Sequence, residues 1–101
     1  MLFEWDERKA SSNRRKHGIS FEDAAEAFMD PLALSTQERV ERGETRWQLL
    51  GRIDTTQLAL VVHTIHEDET DEDVIRIISA RKASRKERER YAQAEKEARS
   101  H

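Results

Sequence analysis

The stretch Val74–Ser84, VIRIISARKAS, limits the fold more tightly than any other part of the chain. It opens on Val74, Ile75, Ile77 and Ile78, β-branched side chains that suit a pleated, buried surface. Arg76 interrupts the run, and Arg81 and Lys82 close it. Ser84 then begins S-x-x-E with Glu87, a capping box in which each side chain satisfies a free backbone amide at a helix start. The stretch therefore reads as a strand that carries cations up to the start of a helix. An unpaired charge is expensive to bury in a central strand. Arg76 must either pair with an acid at the sheet edge or line an anion-binding groove with Arg81 and Lys82, and the groove is the reading carried forward.

The rest of the chain supplies partners for that strand. Leu2–Trp5 reads as a first short strand, and Asp6 as the N-cap of a helix over Glu7–Lys16 that Gly18 stops. Ser20 and Asp23 start a second helix with Ala24, Ala25, Ala27 and Phe28 on its apolar face. Asp30-Pro31 ends it, because a residue before proline disfavours the helical region. Leu32–Ser35 is expected to be a short strand and Thr36–Thr45 a charged loop. Arg46–Ile53 alternates Trp47, Leu49 and Ile53 against Arg46, Gln48 and Arg52, the pattern of a strand with two unlike faces. Gln57–His66 contains LALVVHTIH, continuous enough in apolar character for a central strand, and a last helix is expected from Arg85 to about Ala98. Strands joined by short turns pair antiparallel. The expected fold is α+β: a small two-layer domain with a mainly antiparallel sheet, two N-terminal helices and one C-terminal helix, in the order β-α-α-β-β-β-β-α. One domain over residues 1–101 is expected, with 92–101 a frayed helical tail.

Composition narrows the function classes. Charged residues outnumber hydrophobic ones, 39% to 36%, so the core must be thin. Cysteine is absent, which removes disulfides and thiolate metal sites. No apolar run approaches the ~20 residues of a membrane span, and MLFEWDERKA lacks the apolar segment of a secretory signal. A cytoplasmic location is the expectation. Glu67–Asp73, EDETDED, holds six acids, and setting them aside turns the net charge of −3 into +3. The bases crowd into Arg8–Lys16 and Arg81–Arg90. A single charge run is usually a solvated face, but two basic clusters around one short chain point to a polyanion.

The residues able to carry chemistry each have an ordinary explanation as well. His17 suits the negative end of the first helix dipole as well as it suits catalysis. Glu44 and Arg46 form a plausible surface pair, His63 a satisfied core histidine, Ser79 a small residue under a helix, and Tyr91 the apolar anchor of the last helix. What favours a site is convergence, since several strands each offer cations. Cleaving RNA without a metal needs a group to take the 2′-hydroxyl proton and cations to stabilise the phosphorane-like transition state. Arginine forks grip two phosphate oxygens at once. Glu44, His17 and His63 are each able to move the proton, and spacing does not choose among them. No glycine-rich phosphate loop, nucleophile elbow or metal-ligand spacing is present, and His63 and His66 fall on opposite faces of one strand.

The segments FEWDERKASSNRRKHGISFEDAAEAF, DPLAL, GETRW with LGR, and IRIISARKASRKERERY resemble the BrnT family of ribonuclease toxins, in order from Phe3 to Tyr91. The most specific pieces are W-D-x-x-K, K-H-G-x-x-F-E-x-A and I-I-S-A-R-K-A. The resemblance implies a RelE-like fold and a metal-independent endoribonuclease that inhibits translation, with no cofactor and no metal. It also implies a BrnA-like antitoxin with a ribbon-helix-helix domain, the complex touching operator DNA only through that partner. Carried onto matching positions, the catalytic set is His17, Glu44, Arg46, Arg76 and Arg81, with Lys16, Arg52, Lys82 and Tyr91 binding RNA. Arg85 and Arg88 are the expected partner contacts. The acidic EDETDED run and the tail beyond Tyr91 depart from the family pattern. The alternative function is a non-catalytic nucleic-acid or protein-binding module, such as a subunit of an autoregulatory repressor complex.

Overall fold

The computed structural model describes residues 1–100. Its elements are β1 (Leu2–Glu4), α1 (Glu7–His17), α2 (Phe21–Glu26) continuing into a 3₁₀ turn (Ala27–Met29), β2 (Leu34–Glu41), β3 (Glu44–Arg52), β4 (Leu58–Glu67), β5 (Asp73–Lys82) and α3 (Arg85–Arg99). The five strands form one sheet in the order β1-β5-β4-β3-β2. All neighbours are antiparallel except β1, which runs parallel to β5. This is the α+β arrangement read from the sequence.

Each helix starts and stops where its caps demand. Asp6 accepts from the amides of Arg8 and Lys9, and Gly18 ends α1 in the left-handed region at φ 74°. Ser20 caps α2 through the amide of Asp23, and Ser84 with Glu87 forms a complete capping box for α3. Asp30 does more than precede a proline. Its carboxylate accepts from the amides of Leu32 and Arg52 and from the Tyr91 hydroxyl, tying the end of the 3₁₀ turn to β3 and α3. Asp68 plays a similar local part in the acidic turn, accepting from the amides of Thr70 and Glu72.

One expectation is corrected. Thr36–Glu41 is not loop but the outer half of β2, paired with β3 as far as Glu41 opposite Glu44. The turn is only Arg42-Gly43, with φ of 53° and 78°. Positive φ at both central residues is what a two-residue hairpin needs to match strand twist. The charges of this segment are strand side chains on an edge, where charge guards against stray pairing.

Residues alternate between two sheet faces. One face buries Ala59, Val61, Ile75, Ile77 and Ala80 under Ala10, Ile19, Phe21, Ala24 and Ala27 of the first helices and the turn between them. Gly51 lies beneath the 3₁₀ turn, where an added Cβ would meet the Ala27 carbonyl oxygen at 2.7 Å. On the other face α3 covers one corner only, packing Tyr91 and Ala83 with Leu50 and Leu60. Beyond that corner the face lies open.

Two features shape strand β5. Its register against β4 slips between Val62 and His63, so that Val62 pairs with Ser79, His63 with Ile77, and Ile78 is the extra residue of a bulge. Its other edge is covered by β1 only at Val74–Arg76. Farther along, Asn13 of α1 takes the place of a neighbouring strand. Its amide donates to the Ala80 carbonyl at 2.9 Å and accepts from the Ala80 amide at 3.1 Å, while also donating to the Ile19 carbonyl at 3.2 Å.

Candidate functional site

The open face is where the cations gather. Glu4 of β1 pairs with Arg76 of β5, Arg76 with Thr64 of β4, and Arg46 of β3 with Arg39 of β2. Trp47 lies opposite His63, and one further step of that register sets Arg46 beside Thr64. The sheet thus carries a transverse row, Glu4–Arg76–Thr64–Arg46–Arg39. Two strand spacings put the Arg46 and Arg76 backbones about 10 Å apart. Arg46 leans on Glu41 at 3.4 Å and Arg76 on Glu4 at 3.8 Å, both longer than a charge-assisted hydrogen bond. Glu41 also holds Arg39 at 3.0 Å.

Other expected site residues lie around this row or away from it. Glu44 lines a hollow of about 370 Å³ with Glu41, Arg42 and Arg46 at the hairpin end. Lys16 and His17 share a separate hollow of about 240 Å³ with Ile78 and Ser79 at the β5 edge. Arg81 shares the face of Arg76, but its fork is engaged by both Glu87 oxygens, at 2.8 and 3.0 Å. Lys82 alternates onto the opposite side and lines a cleft with Thr56, Gln57 and Arg88. Arg85 is exposed and paired with Glu89, and Arg88 donates to the Ala83 carbonyl.

Tyr91 and Arg52 belong to the joint that docks α3, not to the open row. Tyr91 is 1% exposed, and its hydroxyl donates to Asp30 at 2.7 Å. Burial and the Asp30 carboxylate push this phenol up to about 12. Arg52 lies over the ring at 5.2 Å and reaches Glu95 at 3.6 Å. The ring of Tyr91 is covered, whereas the Arg52 side chain stays 37% exposed beside it.

His63 is the core histidine that the sequence also allowed. It points into the helix-covered face at 1% exposure, edge-on to Phe28 at 4.7 Å, with Nδ1 at 3.1 Å from the Val61 carbonyl. Burial lowers its pKa, against a smaller opposing effect of the Val61 carbonyl. His66, two residues on, lies on the open face instead, with Nε2 3.6 Å from Glu4. Sequence reasoning passed over Glu4, Glu41, Thr64 and His66 as site residues. Strand alternation in LALVVHTIH was the available signal, since it separates Thr64 and His66 from His63. Among the described residues, no three His, Cys, Asp or Glu side chains gather closely enough to hold a metal ion. No helix described is long and apolar enough to cross a membrane.

The Arg81–Glu87 bridge makes a measurable contribution at low pH. The Arg81 guanidinium, followed by the Ser84 amide, holds the Glu87 carboxyl down at about 2, against an ordinary value near 4.5. A lowered folded-state pKa stabilises above the unfolded value and is lost as pH falls from about 4.5 toward 2. At full strength the shift corresponds to about 3 kcal/mol, and solvent around the 42%-exposed Arg81 screens it to roughly 1 kcal/mol. Urea midpoints of wild type and Glu87→Gln should therefore differ at pH 6, draw together below about pH 4.5, and meet only as pH falls through about 2. A gap that stays constant across that range would show that the carboxylate charge is not responsible.

Comparison with known proteins completes the description. Residues 5–87 match the family model described as ribonuclease toxin, BrnT, of type II toxin-antitoxin system. No curated protein matches the chain in sequence. Among solved structures, the chain is similar to the 1.1 Å crystal structure of the Brucella abortus ribonuclease toxin, BrnT. The match has a TM-score of 0.58 at 24% identity, over 84% of this chain and 100% of that one.

Proposed function

Because the chain belongs to the BrnT family of ribonuclease toxins of type II toxin–antitoxin systems, we propose that it is a metal-independent, RelE-like endoribonuclease that cuts RNA on the open sheet face. The observation that carries this reading is the placement of Arg46 and Arg76 on one row of a face that the helices leave uncovered. Cleavage proceeds by attack of the 2′-oxygen on the adjacent phosphorus. The 5′-oxygen leaves with a proton, and a 2′,3′-cyclic phosphate remains. Arg46 and Arg76 stabilise the added negative charge on the phosphorane oxygens. Glu44 or His66, beside the row, takes the 2′-hydroxyl proton, whereas His17 lies in the separate hollow at the β5 edge. Arg81 acts through Glu87, positioning the strand end and the α3 start. Lys16 and Lys82 steer the backbone from the sheet margins.

A toxin of this kind has an antitoxin partner, and we assign that role to a BrnA-like ribbon-helix-helix protein acting in the cytoplasm. The exposed Arg85 and Arg88 at the start of α3 offer the partner a basic contact. RNA cleavage should persist in excess chelator and yield cyclic-phosphate or 3′-phosphate ends. Activity lost to chelation and restored by magnesium would overturn the metal-independent mechanism. RNA binding without cleavage would favour the non-catalytic module.

A further inference from the structure

Among the described residues, two buried side-chain oxygens lack a hydrogen-bond partner: Thr64 Oγ1 and Glu41 Oε2. Both border Arg46. Thr64 stands between Arg46 and Arg76 on the row, and Glu41 lies within ion-pair distance of Arg46 and Arg39 without the alignment of a hydrogen bond. Buried hydroxyls are almost always bonded, because an unbonded one has given up water for nothing. Thr64 is 1% exposed, in a strand whose other buried positions are Ala59, Leu60, Val61 and His63. Valine has the same shape and would fit this position without an unbonded oxygen. Within the described residues the hydroxyl is therefore left without a protein partner.

We propose that Thr64 donates its hydroxyl to a non-bridging oxygen of an RNA phosphodiester seated between Arg46 and Arg76, and that Glu4 and Glu41 occupy those arginines until the phosphate displaces them. The proposal rests on the ribonuclease reading and adds the subsite that reading lacks. The placeholder carboxylates fit the role. Charge-assisted bonds run at about 2.7–2.9 Å, whereas Arg76–Glu4 and Arg46–Glu41 stand at 3.8 and 3.4 Å. Ion pairs held at such distances are weak. A phosphate takes both forks and the hydroxyl together, a geometry that neither carboxylate can satisfy from its own strand. Once the arginines swing from the carboxylates to the phosphate, the Thr64 oxygen beneath them is uncovered to the ligand.

The test compares Thr64→Val and Thr64→Ser for affinity toward a 2′-O-methyl RNA oligonucleotide, which binds but lacks the attacking hydroxyl. Melting is measured alongside. Thr64→Val should weaken binding by about tenfold, the loss of one hydrogen bond to a charged group. Thr64→Ser, which keeps the hydroxyl, should stay within about twofold of wild type. Thr64→Val should melt no lower than wild type, because no bond in the free protein is lost. Glu4→Gln and Glu41→Gln should bind the oligonucleotide more tightly by freeing the arginines. Thr64→Val binding as wild type does, or melting well below it, would overturn the subsite. So would a wild-type protein that does not bind the oligonucleotide at all. A wild type that binds it but cuts no natural RNA ends the ribonuclease reading alone, and the Val-to-Ser affinity ratio still decides the subsite.

Discussion

Arg46→Ala and Arg76→Ala are each expected to lower RNA cleavage by roughly 100-fold or more, the usual consequence of removing a donor aimed at transition-state charge. The fold should survive both changes. Arg76 is 44% exposed at its side chain and Arg46 25%, and the side chains of Glu4 and Glu41 are 43% and 40% exposed, although the Glu41 Oε2 that meets Arg46 is itself buried. Pairs of this kind contribute about 0–1 kcal/mol, so melting should shift by only a few degrees. Lysine at either position should recover part of the activity, since it restores charge without the planar fork. Single-turnover cleavage read beside thermal melting separates the possibilities. Two unfolded variants would mean that these arginines are structural ties. Two folded variants that cut at the wild-type rate would place the chemistry elsewhere, with the hollow around Lys16, His17 and Ser79 next in line.

Asn13→Ala is expected to be the most damaging single change outside the aliphatic core. Asn13 is 8% exposed and makes three hydrogen bonds to backbone groups of Ala80 and Ile19. Truncation leaves one buried amide and two carbonyls without partners, at roughly 1–3 kcal/mol for each group that water cannot reach. A loss of about 3 kcal/mol is expected, and for a chain of this size it lowers the melting temperature by roughly 10–20 °C. Asn13→Asp should be no better near neutral pH. Its carboxylate can still accept from the Ala80 amide but faces two carbonyl oxygens. Protonation would restore a donor, so its folded-state pKa is raised, and its stability relative to wild type should improve as pH falls. Calorimetry across pH checks both statements. A Asn13→Ala protein that loses less than about 1 kcal/mol would show that the β5 edge is satisfied without the clamp.

Parts of this architecture are legible because they are local. Asp6, Ser20 and the Ser84–Glu87 box declare helix starts through bonds that span three residues or fewer. Gly18 ends α1 through its own backbone freedom. LALVVHTIH declares a central strand through apolar continuity. The outer half of β2 was not legible in the same way. Its charges look like loop composition until the Arg42-Gly43 turn pairs them with β3. The site is legible by residue type more than by arrangement. Arg46 and Arg76 are apparent as strand cations, whereas the carboxylates that hold them and the threonine between them are not.

The division is clearest in β5. A chain that alternates strictly places Arg76 with Ile78, Ala80 and Lys82 on one face, and Arg81 on the other. The observed strand does not, because Ile78 is an extra residue opposite the Val62–His63 step. The bulge sends Arg76, Ser79 and Arg81 to the open face and Ile77 and Ala80 into the core. Nothing within VIRIISARKAS requires it. The slip is settled by what lies on either side: Asn13 gripping the backbone of Ala80, β4 supplying the paired register, and two helices demanding apolar contacts from one face alone. Composition and caps decide that this chain has a cation-bearing strand leading into a capped helix, since those effects act within a few residues. Which cations share a face is decided by contacts between residues such as Asn13 and Ala80, 67 positions apart, and such contacts exist only once the sheet has closed.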